Sequence, residues 1–211
     1  MALSVQESIV FGWRTFVKRP WFFILLIAGM LILYGILSSV TDPENYREGS
    51  GFMLFVVSIA SAVVGAVLEI FLINLALKAH DSAETLTLAD GYATIPFWQY
   101  LAVKILTGII VFVGFILLVV PGIIAALMLM FGNYLVVDKG LGPIAAMKES
   151  MRITKGSRWK LLLFVLALAI LNIVGALCVL VGLLVTIPVT MLAMVHAYRT
   201  LEHKANEVVA A

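Results

Sequence analysis

The sequence predicts an all-α polytopic membrane protein: six transmembrane helices arranged as three hairpins, with amphipathic helices at the membrane interface. Composition, the lengths of the apolar runs and the placement of the basic residues carry that reading. Of 211 residues, 63% are apolar and 12% charged, with a mean hydropathy of +1.13. Soluble domains run near about 45–50% apolar and about 25% charged. A water-soluble domain is therefore excluded, and so is a disordered chain, which needs low hydrophobicity and high charge. A net charge of +2 gives no footprint for nucleic acid. Cys178 is the single cysteine, so there is neither an intramolecular disulfide nor a cysteine-based metal centre. No cofactor is expected.

A helix crossing about 30 Å of hydrocarbon needs about 20 apolar residues. Trp21 to Val40 and Phe52 to Leu77 each supply one crossing. Leu101 to Val137 and Leu161 to Val195 run for 37 and 35 residues. As single helices these would exceed about 50 Å. Each has a break near its middle, Val119-Val120-Pro121-Gly122 in the first and Gly182 with Thr186-Ile187-Pro188 in the second, where a helix tends to end or kink. Each therefore reads as a tight hairpin. The expected spans are about 21–40, 52–77, 101–119, 121–137, 161–180 and 183–201, within one integral membrane domain covering 1–211. The run at 21–40 reads as a retained span rather than a cleaved signal.

Six crossings place 13 of the 14 basic residues on one side and leave only Arg47 on the other. Lys and Arg collect on the cytoplasmic side of short loops. Both termini are therefore expected in the cytoplasm of a cell whose inner membrane holds the chain, and 41–51 is expected outside. Trp13, Trp21, Trp98 and Trp159 all fall at the same inner boundary, where indole rings favour the headgroup level.

Residues 2–19 and 143–156 read as interfacial amphipathic helices. Ser4 and Glu7 have capping-box spacing, and Val5, Ile9, Trp13 and Phe16 share a face. Pro143 suits a first helical position, and Gly156 a helix end. Ile144, Met147 and Met151 form an apolar stripe opposite Lys148, Glu149, Arg152 and Lys155. Such helices lie in the membrane plane, and Lys148, Arg152, Lys155 and Arg158 are candidate contacts for anionic lipid. The last two hairpins share an offset that places Gly108 on Gly175 and Pro121 on Pro188. This spacing suggests an internal repeat of the kind found in transporters.

Polar groups inside spans are costly and mark function or interhelical bonding. Glu69 is the clearest, and an unpaired carboxylate there would be strongly disfavoured. Lys104, His196, Arg199, Asn133 and Tyr134 are its available partners, and Asn172 lies near mid-span. Glu69, Asn172, His196 and Lys104 thus form the candidate intramembrane polar site. Ser58, Ala62 and Ala66, with Ser61 and Gly65, are spaced to let helices approach closely. Motifs for zinc proteases, serine hydrolases and P-loops are absent, and the three histidines have no metal spacing.

Val119-Val120-Pro121-Gly122, then Tyr134 to Asp138, Gly142-Pro143-Ile144-Ala145-Ala146, Ser150 and Thr154 to Trp159 occur in an order that resembles a known group. That group comprises uncharacterised bacterial six-span membrane proteins, and it is similar to the membrane domain attached to some glycerophosphodiester phosphodiesterases. Pro188 to Arg199 also fits. The resemblance covers the last 120 or so residues best. It implies a prokaryotic cell membrane and a lipid-related setting, and it transfers no catalytic residue. Asp138 is expected to cap a helix or to pair with Lys139 or Arg199. The expected function is a non-catalytic integral membrane protein acting through lipid contact or assembly with a membrane-protein partner. The alternative is a small transporter or channel built around Glu69.

Overall fold

The computed structural model describes residues 3–42, 51–178 and 181–210. The described elements are α1 (Val5–Lys18), α2 (Pro20–Thr41), α3 (Gly51–Ser82), a 3-10 turn (Leu88–Tyr92), α4 (Phe97–Leu117), α5 (Val119–Leu129), α6 (Gly132–Lys139), α7 (Pro143–Thr154), α8 (Arg158–Leu177) and α9 (Leu183–Ala210). Among the described residues there is no strand. Among the described residues six stretches are long and apolar enough to cross a membrane: α2, α3, α4, Val119–Lys139, α8 and Leu183–Glu207. The chain is an all-α, multi-pass membrane protein. The loop expected at 41–51 falls largely outside the described residues.

The two tight hairpins turn on glycine pairs. Leu118 alone is extended between α4 and α5. A Cβ on Gly114 would stand 2.9 Å from the Gly122 Cα, so only glycine lets these arms meet. At the α8–α9 apex, a Cβ on Gly182 would stand 2.4 Å from the Gly175 carbonyl oxygen. Of the residues expected at the breaks, Gly122 and Gly182 stand at the apices, whereas the prolines end no helix. Pro121 sits in the first turn of α5, where its missing N–H would have had no helical partner anyway. Pro188 lies inside α9, which runs through it. The offset that pairs Gly108 with Gly175 also fails as packing: Gly108 faces open space while Gly175 abuts Thr186 and Gly182.

The fourth span is broken at Met130–Phe131, between α5 and α6. A break exposes backbone groups that hydrocarbon cannot satisfy. Ser150 of α7 closes it. Its hydroxyl accepts from the Phe131 amide at 3.2 Å and donates to the Met128 carbonyl at 2.8 Å. The serine is fully buried. To reach this position α7 packs against α4, α5, α6 and α9. Its buried face is Ala146, Met147, Ser150, Ile153 and Thr154. Ile144, expected on the apolar stripe, is 65% exposed. Met147 of that stripe is buried and Met151 packs against the core, while Ala146, Ser150, Ile153 and Thr154 complete the inner face.

The N-terminal helix is corrected in the same way. Ser4 caps α1 through the Glu7 amide, as the spacing predicts. The buried face, however, is Ser8, Gly12, Thr15 and Phe16, and Trp13 stays exposed. Gly12 lies so close to α9 that a Cβ would meet the Val189 carbonyl oxygen at 2.4 Å. This helix is docked along α9.

The stripe of small residues on α3 does not bring helices together. The nearest neighbour to a Cβ on Gly65 is the Tyr34 hydroxyl at 3.9 Å, and Ser58 and Ala62 are exposed. Further down, α3 is well packed. Asn74 binds the 83–96 connection there: Nδ2 donates to the carbonyls of Gly91 (3.1 Å) and Thr94 (2.7 Å), and Oδ1 accepts from the Thr94 hydroxyl at 3.0 Å.

Ser150→Ala should lower stability by about 1–3 kcal/mol, because it strands a buried amide and a buried carbonyl at the break. Thermal unfolding in detergent measures this. Ser150→Thr, which keeps the hydroxyl, should recover part of the loss.

Candidate functional site

Glu69 on α3 meets two donors from one face of α4. Tyr100 and Lys104 stand one helical turn apart, and both the phenol and the ammonium donate to Glu69 Oε2. Oε1 has no hydrogen-bond partner among the described residues. Tyr100 is buried, whereas the Glu69 and Lys104 side chains keep 39% and 48% of their surface open. The ion pair therefore lies in a wall and not in the packed core.

Cavities lie on both sides of that wall. The first, about 540 Å³, lies among α3, α4, α6, α8 and α9 and is bounded by Glu69, Tyr100, Asn133, Tyr134, Asn172 and Thr190 together with aliphatic side chains. The second, about 780 Å³, lies among α2, α3 and α4. Its walls are Glu69 and Lys104, the hydroxyls of Tyr34, Ser38, Thr41, Ser58 and Ser61, and the small residues Ala62, Gly65 and Ala66. The small-residue stripe of α3 thus keeps a cleft open instead of closing a helix interface.

The first cavity is rich in acceptors. Asn172 Nδ2 donates to the Leu168 carbonyl at 3.1 Å and to the Thr190 hydroxyl at 3.4 Å, which leaves Oδ1 buried without a partner. Asn133 Oδ1 is likewise buried and unpartnered. Buried polar atoms are normally bonded, and exceptions call for a reason such as a ligand or water. Glu69, Asn133 and Asn172 thus bring a carboxylate and two unpartnered amide oxygens into the lining residues of one cavity.

Of the predicted site residues, the structure pairs Glu69 with Lys104 and sets Glu69 and Asn172 in the lining of one cavity, with Lys104 in that of the other. His196 is elsewhere. It stacks on Phe11 with ring centroids 4.3 Å apart and bonds to His80 at 3.3 Å. Arg199 is also taken: Asp138 accepts from both terminal nitrogens at 3.0 Å and from the Tyr198 hydroxyl at 2.7 Å. Of the partners foreseen for Asp138, Arg199 is the one found. Tyr100 was missed, although its position four residues before Lys104 already places it on the same helical face.

Among the predicted lipid-contact residues, Lys148 and Lys155 are exposed and Arg158 is half-buried. Arg152 is committed to the protein. It binds Glu149 through two hydrogen bonds of 2.8 and 2.6 Å, the Ala205 carbonyl at 3.0 Å and Asn206 Oδ1 at 2.8 Å. It fastens the end of α9 to α7.

Over 94% of its length the chain is 27% identical to an uncharacterised protein of Mycobacterium bovis, covering 68% of that protein. Uncharacterised proteins from two strains of Mycobacterium tuberculosis match with the same identity and coverage. No family model matches the chain. No solved structure matches it.

The Arg152 guanidinium holds the Glu149 carboxyl below its ordinary value, against the opposing effect of partial burial. A depressed folded value means that the clamp contributes at neutral pH and is lost as pH falls through that value, below about 4.3. Limited proteolysis of the segment after Leu201 should show the tail held at neutral pH and loosened in acid. Glu149→Gln should loosen it at neutral pH already, by about 1 kcal/mol or less for a pair this close to solvent, and should flatten the pH dependence.

Proposed function

We propose that this membrane protein binds an amine-headed amphiphile drawn from the bilayer, with the head seated in the acceptor-lined cavity beside Glu69. One observation carries the reading: Glu69, Asn133 and Asn172 are among the residues lining one cavity, and Oδ1 of both asparagines is buried without a donor. An ammonium supplies three N–H donors and no acceptor, which complements such a lining. The apolar remainder of the wall suits an alkyl tail. The role is lipid contact and binding rather than catalysis. It accords with the lipid-related setting implied by the resemblance to phosphodiesterase-attached membrane domains, a kinship that is itself part of the proposal. The basic residues, numbered 13 to 1 between the two sides by sequence, support an inner-membrane protein with both termini in the cytoplasm.

A second reading, passage rather than storage, is supported by the place of Glu69 in the walls of both cavities. Movement of the Glu69–Lys104 pair would join them.

Saturable binding of a fluorescent primary alkylamine to the full chain in proteoliposomes tests the first reading. Each lost charge-assisted or amide bond should weaken binding by about tenfold or more, for Glu69→Gln and for Asn172→Leu. Equal binding by wild type and both variants would remove the proposal. For passage, the fraction of the probe protected from an external quencher should change with time in wild-type proteoliposomes and stay fixed in Glu69→Leu.

A further inference from the structure

A third opening lies away from both Glu69 cavities and shares no lining residue with either. It is a groove of about 690 Å³ between α5 and the α7–α8 junction. Val120, Ile123, Ile124 and Leu127 form one wall. Their spacing puts them on a single stripe of α5, about 10 Å long on helical rise. At the junction the lining becomes Lys155, Gly156, Arg158, Trp159 and Lys160. Among the described residues that line the groove, none is acidic.

We propose that this groove is a binding site for one anionic phospholipid, with an acyl chain along α5 and the phosphate among Lys155, Arg158 and Lys160. Charge complementarity and the shape of the junction select the occupant. Three cations are gathered at one end of an apolar channel. Arg158 Nε is buried there without a hydrogen-bond partner. Lys204 adds a fourth cation nearby, its ammonium donating to Ser157 Oγ at 3.3 Å. The first-turn amides of α8 receive no side-chain cap, so the positive end of that helix dipole faces the same place. Trp159, 80% exposed, puts an indole at the rim, the position such rings take at the headgroup level. A positive φ of 77° at Gly156 makes the tight turn that sets Lys155 and Arg158 on either side of the opening. A free anion would satisfy the cations but not the apolar stripe, and a neutral lipid the reverse. An anionic phospholipid satisfies both. The site differs from the surface expected on sequence grounds: Lys148 lies outside the groove lining, Arg152 leaves it for the clamp on α9, and Lys160 joins it.

Native mass spectrometry of the detergent-solubilised full chain, incubated with dioleoyl phosphatidylglycerol or dioleoyl phosphatidylcholine, tests the site. Wild type should retain one phosphatidylglycerol in strong preference to phosphatidylcholine. The triple variant K155Q/R158Q/K160Q should lose about a hundredfold in that preference, each cation near a membrane surface contributing about fivefold. Ile124→Trp, which fills the channel and leaves every charge in place, should lower retention of phosphatidylglycerol, and excess inorganic phosphate should not displace the lipid from wild type. Equal preference in wild type and the triple variant would overturn the proposal. So would retention unchanged by Ile124→Trp, or displacement by phosphate alone, which would mark a site for a free anion.

Discussion

A backbone amide or carbonyl in hydrocarbon has no water to bond, and a bond missing from a helix must be replaced from within the protein. That constraint shapes this fold wherever the chain departs from a continuous helix. At the two apices the departure is confined to a few residues, and glycine pairs let the arms turn without a long unpaired loop. At Met130–Phe131 the departure is inside a span, and α7 is held against the bundle so that Ser150 can bond the two freed groups. Helix α7 is therefore structural first, and its burial sets the position of the α7–α8 junction and of the basic groove beside it.

Charge follows a related economy. The ion pairs Lys18–Glu84, Lys139–Glu202 and Arg199–Asp138 join α1, α6, α9 and the connection after α3 at the end of the bundle opposite the hairpin apices. Glu69 and Lys104 form an ion pair inside the spans. Burying a charge pair among apolar helices gives little net stability, because desolvation offsets the attraction. A pair that also borders two cavities and leaves one carboxylate oxygen unbonded is better explained by what it offers a ligand. The His80–His196 pair, by contrast, is covered by Phe11 and joins helices.

Much of the fold was legible because hydrocarbon imposes a length. The runs at 101–137 and 161–195 are too long for single crossings, and with the breaks near their middles and the placement of the basic residues they read as hairpins. The cap at Ser4, the helix start at Pro143 and the turn at Gly156 were legible because each depends on the local chemistry of one residue. Of the candidate site, Glu69, Lys104 and Asn172 could be named because polar side chains stand out in apolar sequence. Their grouping, and the exclusion of His196, could not be read, since depth along a span says nothing about the direction a side chain faces. The role of the stripe from Ser58 to Ala66 was misread for a related reason: small residues permit close approach, but they also leave space when no neighbour fills it.

The sequence by itself determined that this protein is helical and multi-pass, with six stretches among the described residues long and apolar enough to cross a membrane. Those properties come from summed hydrophobicity and from period, which are local quantities. Tertiary structure alone decided that Ser150 mends a broken span, that Arg152 is spent on α9, and that Glu69 stands between two cavities. Each of these depends on residues far apart in the chain meeting in space, and the pairwise geometry of packed helices is not encoded in any single stretch of apolar sequence.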